Sequence, residues 1–128
     1  ELIIPETDTP GAGAVGVPAF IERIVGDWMS DGERANLTAG LGRIDDRARA
    51  AGSTGFTALA RADQVRLLQA LDGTDGPDGS AEKAYARIKQ LTTYGYFTSE
   101  RVMTEVLHTV IIPGRFDGCV PLAGHAGE

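Results

Sequence analysis

Between Val17 and Trp28 the apolar residues Val17, Phe20, Ile21, Ile24, Val25 and Trp28 recur at i, i+3, i+4, i+7, i+8 and i+11. That spacing gathers them on one face of a helix, whereas a half-buried strand would alternate with period two. Pro18 suits the first turn of this helix, Val17 to Met29, because its missing N–H would lack an intrahelical partner there anyway. No segment alternates convincingly with period two, and no internal repeat is visible.

The helical pattern continues down the chain. Ser30 and Glu33 have capping-box spacing, so each side chain can satisfy an orphan backbone donor at the start of a second helix. Leu37, Leu41, Ile44 and Ala48 line one face of it, and Gly40 and Gly42 weaken it by up to about 1 kcal/mol each relative to Ala while permitting close helix–helix approach. Gly52 to Gly55 is a break. Phe56 and Leu59 then precede a third helix, about Arg61 to Leu71, with Val65, Leu68 and Leu71 inward and Asp63 near the positive end of the helix dipole. Asp72 to Ser80, DGTDGPDGS, reads as a linker. Ser80 caps a fourth helix reaching about Leu91, with Tyr85, Ile88 and Leu91 on one face. Gly95, in the aromatic stretch Thr92 to Phe97, marks an end or a bend, and Thr98 or Ser99 opens a short fifth helix, Glu100 to Leu107.

Pro5, Pro10, Gly11, Gly13 and Gly16 make residues 1–16 an extended lead-in turning near Pro10-Gly11, whose Leu2, Ile3 and Ile4 pack on the helices or on a partner. Pro113, Gly114, Gly118 and Pro121 make the tail irregular. The expected fold is all-α: one domain of 128 residues, with a compact bundle of about four to five helices at 17–108 and extended, irregular segments at 1–16 and 109–128.

Composition narrows the partners. The net charge of −6, with Arg43, Arg47 and Arg49 interleaved by Asp45 and Asp46, argues against nucleic acid and anionic lipid, which need a basic patch. No apolar stretch approaches the roughly 20 residues of a membrane span. Gly is abundant at 17 and aromatics are few, which leaves two readings open: a loop-rich domain of ordinary stability, or one stabilised by a partner subunit. The abrupt start at Glu1, inside an apolar stretch, reads as a trimmed or processed chain with any export signal upstream.

Chemical motifs are weak. One Cys and two His do not make a metal or haem site. In DGTDGPDG the calcium-loop pattern fails from Asp72, where Thr74 and Gly76 fall at ligand positions, and from Asp75, where Pro77 does. Gly11, Gly13 and Gly16 spell GxGxxG, but Pro5 to Pro10 separates them from any preceding strand and no second strand follows. Cys119 and His108 are the natural nucleophile–base pair for a stand-alone enzyme, yet nothing in the sequence brings them together. Asp45 and Asp46 are adjacent on a helix and do not face each other. The lone Cys119, in GRFDGCVPL, is either a small buried apolar residue, a free thiol or half of an intermolecular disulfide.

Three stretches, LIIPETDTPGA (Leu2 to Ala12) leading into VGVPAFI (Val15 to Ile21), LTTYGYFTSE (Leu91 to Glu100) and PGRFDGCVPL (Pro113 to Leu122), together resemble the gluconate 2-dehydrogenase small-subunit family. Residues 30–90 match only as generic helix. The resemblance implies a non-catalytic helical subunit that stabilises, matures and co-exports a periplasmic dehydrogenase. The large subunit, a flavoprotein of the glucose–methanol–choline oxidoreductase type, would carry FAD and the chemistry, and electrons would pass to a haem c subunit or another acceptor. A twin-arginine export signal would lie upstream of Glu1. This chain would bind no cofactor. Its interface would include Tyr94, Tyr96, Phe97, Arg115, Phe116 and Cys119, with Cys119 a candidate for an intersubunit disulfide in an oxidising compartment. The aromatic run Tyr94, Tyr96 and Phe97 is equally readable as domain core. The competing readings are a helical binding module unrelated to oxidoreductases and an enzyme using Cys119 or His108.

Overall fold

The computed structural model describes residues 1–110 and Gly114. Among them the fold is all-α. Helix α1 (Val17–Arg23) runs directly into a π-helical turn, Ile24–Trp28. Helix α2 (Asp31–Ala50) follows, then a short 3-10 turn at Phe56–Ala58, α3 (Arg61–Leu71), α4 (Ala81–Phe97) and a second π-helical turn, Val102–Val106.

Helix α4 is the spine. It packs against α1, α2, α3 and the last turn. Among the described residues the core forms three clusters, and α4 contributes to each: Tyr96 with Ala12, Val17 and Val102; Ala84 and Leu91 with Met29 and Leu37; Ala81 and Tyr85 with Ile44 and Leu71. Small residues make this sharing possible. A β-carbon at Gly40 would meet the Ser80 carbonyl oxygen and lie 2.5 Å from the Ala84 β-carbon, so α2 and α4 touch nearly backbone to backbone. At the other end of α4, Gly95 accommodates the Phe20 ring of α1. The helix continues past Leu91 and through Gly95, ending at Phe97 within the aromatic stretch.

The capping box forms as its spacing predicts. The Glu33 carboxylate accepts from the Ser30 N–H at 2.9 Å, and the Ser30 hydroxyl accepts from the Glu33 N–H at 3.3 Å. Ser80 caps α4 by accepting from the Lys83 N–H at 3.1 Å. Arg47 on α2 pairs with Glu82 on α4, and Lys89 reaches back to Asp72 at 2.7 Å, fixing the linker to the spine.

The π-turn changes which residues of the first helix face inward. The Met29 N–H donates to the Ile24 carbonyl, five residues back, at 3.1 Å. One residue beyond the α-helical count advances the following side chains by about 100°. Trp28, which an unbroken helix would bury, is consequently 78% exposed, and Met29 is buried against Leu37, Ala84 and Leu91 in its place. The fifth helix forms close to its expected bounds: Glu100 and Arg101 are α-helical and run into the π-turn Val102–Val106, closed by the Leu107 N–H on the Val102 carbonyl at 2.9 Å.

The lead-in is irregular and loops back on itself. The Ala12 N–H donates to the Ile4 carbonyl at 3.0 Å, and the Tyr96 hydroxyl donates to the Pro10 carbonyl at 2.8 Å. Ile4 packs with the Tyr96 cluster and Ile3 with the Tyr85 cluster, so the apolar tag lies on the helices.

Candidate partner interface

Helices α1 and α2 each pack on α4 and barely touch one another. They are joined through Met29 and Ser30. Between them lies an open cavity of about 960 Å³. Val17, Pro18 and Ile21 of α1 form one wall, and Thr38, Leu41, Gly42 and Ile44 of α2 form the other. Tyr85, Ile88 and Thr92 of α4 make the floor, and Leu2 and Ile3 close one end. The lining is mainly apolar, and Leu41 is 43% exposed within it. Its uncovered apolar part centres on Leu41, with Val17, Ile44 and Tyr85 buried around it.

The charged residues lining the groove are Glu1, Glu22 and Asp45, all acidic. Asp45 accepts from the Phe56 N–H at 2.8 Å and faces Arg49 at 3.1 Å, and Glu1 accepts from the Gly13 N–H at 2.8 Å. Glu22 has no hydrogen-bond or ion-pair partner among the described residues. Burial raises the Tyr85 hydroxyl above its ordinary value, with the nearby Asp72 carboxylate adding to the effect. A second, smaller cavity of about 480 Å³ lies under the 72–80 linker. It is lined by charges of both signs, among them Asp78 and Lys83, which pair at 3.3 Å.

The aromatic run divides. Tyr96 is buried and spends its hydroxyl on Pro10, so it belongs to the core. Tyr94 is 62% and Phe97 49% exposed. Tyr94 lies against Phe20 with ring centroids 5.9 Å apart, and Phe97 meets Tyr96 edge-on at 5.3 Å, so both outer rings are held in place from beneath. Arg115, Phe116 and Cys119 lie outside the described residues. His108 is exposed at the end of the last π-turn, its Nδ1 3.1 Å from the Thr104 carbonyl oxygen, and its proposed partner Cys119 falls outside the described residues.

The glycine run serves as a turn. Its Gly13 N–H is taken by the Glu1 carboxylate, and Gly16 adopts a left-handed φ of 80° to start α1. A phosphate approaching Gly13 would meet that carboxylate. Asp45 and Asp46 converge on Arg49 and brace α2. Among the described residues no group of three His, Cys, Asp or Glu is placed to hold a metal ion, and no helix is long and apolar enough to cross a membrane.

The described chain is thus an all-α domain built on one central helix, with an uncovered apolar groove as its most developed surface feature. The sequence model of the family described as gluconate 2-dehydrogenase subunit 3 matches residues 1–114, and the chain belongs to that family. By that description its members are subunits of a dehydrogenase. No curated protein and no solved structure matches the chain.

The helical periodicity did not announce the groove. Leu41 shares a face with Leu37 and Ile44, yet it is exposed where they are buried. A usable signal was present in Thr38 and Gly42, which flank Leu41 on a face otherwise reserved for large apolar residues.

Proposed function

We propose that this chain is the non-catalytic accessory subunit of a periplasmic, FAD-dependent sugar or sugar-acid dehydrogenase. In this reading it stabilises and matures the large flavoprotein subunit and accompanies it through twin-arginine export. FAD and the redox chemistry belong to the large subunit, and a haem c subunit is a further candidate member of the complex. The observation that carries the reading is the uncovered apolar groove in a chain belonging to a dehydrogenase-subunit family. Covering such a surface is how a helper subunit gains affinity and how its partner gains stability by mass action.

Exposed Tyr94 and Phe97 are well suited to join the interface, since rigid aromatic side chains lose little entropy on binding. Cys119 supplies a thiol for an intersubunit disulfide. The direct test expresses the large subunit with and without this chain. Soluble, flavin-loaded, exported enzyme should fall sharply when the chain is omitted. Full activity, solubility and export of the large subunit alone would defeat the reading.

A further inference from the structure

The groove has a length, a chemistry and a charge that together select an occupant. Its α2 wall runs from Thr38 to Asp45, about 11 Å at 1.5 Å per residue, or two helical turns. Its α1, α2 and α4 walls are helices whose backbone groups are already hydrogen-bonded within the helix, so an entering strand finds no ladder along them. A helix satisfies its own backbone and needs only a side-chain surface. Gly42 leaves open space above α2, with nothing within 4 Å of a β-carbon built there, so an entering helix can approach closely. Among the described residues the lining carboxylates include Glu22, which has no partner, and no Lys or Arg lines the groove.

We propose that the α1–α2 groove receives an amphipathic helix of the large subunit, apolar at i, i+3, i+4 and i+7, with Lys or Arg set beside Glu22. This rests on the accessory-subunit reading above. A second copy of this chain is a poor occupant, because each copy carries a net charge of −6. Residues 111–128 are a poor one too: their single Arg or Lys, Arg115, is offset by Asp117 and Glu128.

The test uses the complex assembled from the full chain and the large subunit, with a photoreactive benzoylphenylalanine replacing Leu41. Adducts should map to one segment of the large subunit that has helical apolar spacing and a Lys or Arg. Adducts to residues 111–128, adducts to a second copy, or assembled complex without a protein adduct would overturn the proposal. Two variants give an independent reading. Glu22→Lys should weaken association at least tenfold at low salt, with the loss shrinking as salt rises. Gly42→Leu should raise the thermal midpoint of the isolated chain yet also weaken association at least tenfold. Unchanged affinity in both variants would overturn the proposal. Association with no groove adduct defeats this inference alone, whereas absence of any association defeats the accessory-subunit reading with it.

Discussion

The Phe20 ring lies in the space a β-carbon would take at Gly95, with its Cδ1 atom 2.6 Å from that position. This is how α1 settles onto the end of α4, and the Ser80–Ala84 turn settles onto Gly40 in the same manner. Intrinsic helix propensity favours Ala over Gly at both positions by about 1 kcal/mol, so the two effects oppose each other. We expect the clash to win: Gly95→Ala and Gly40→Ala should each destabilise by about 1–3 kcal/mol. Gly42→Ala, with open space around it, should stabilise by about 0.5–1 kcal/mol. Chemical denaturation of the three variants checks the contrast, and a uniform gain across all three would refute it.

The Tyr96–Pro10 hydrogen bond joins positions 86 residues apart and ties the lead-in loop to the spine. Tyr96→Phe keeps the ring and removes the donor. It should cost about 0.5–1.5 kcal/mol and raise amide exchange within residues 1–16 more than in α2. Equal exchange in both regions would mean that the bond does not anchor the loop.

The acid limb of stability should carry the mark of the Ser30–Glu33 box. Hydrogen bonds from the Ser30 hydroxyl and N–H hold the Glu33 carboxyl below its ordinary value of 4.5. A depressed folded-state value contributes stability that is full above 4.5 and is lost as pH falls through the folded value. Glu82 behaves likewise, held down first by its own backbone N–H and then by Arg47. The thermal midpoint should therefore fall as pH drops below about 4.5, and less steeply in Glu33→Gln than in the wild type. Parallel pH profiles would exclude the box as a source.

The π-turn makes neighbouring residues unequal. Met29→Ala should cost about 2–3 kcal/mol, as for other buried Met truncations. Trp28→Ser should stay within about 0.5 kcal/mol of the parent in the isolated chain. A reversed order would restore the regular helix.

Much of the helical framework was legible in the sequence. The 3.6-residue period, the Ser30 and Ser80 caps and the Gly/Asp-rich linker each act over a few residues, and local signals of that kind survive folding. The discrepancies are tertiary. Gly95 has poor helix propensity and the helix ends two residues after it, but its packing role is invisible in sequence: the Phe20 ring lies where a side chain would have stood. Trp28 looks like core because the π-turn has no clear signature in the apolar spacing. Tyr94, Tyr96 and Phe97 read as one aromatic run, yet the Pro10 carbonyl, distant in sequence, singles out Tyr96 for burial. The groove is lined by residues from the lead-in and from α1, α2, α3 and α4, a grouping that no single stretch of sequence encodes.

Trp28 is the chain's single tryptophan, and the π-turn sets its indole in water while the domain is fully folded. Its emission should therefore change little when the isolated domain melts. A blue shift would instead mean that another molecule had closed over that surface, giving the assembly a built-in optical reporter that needs no label.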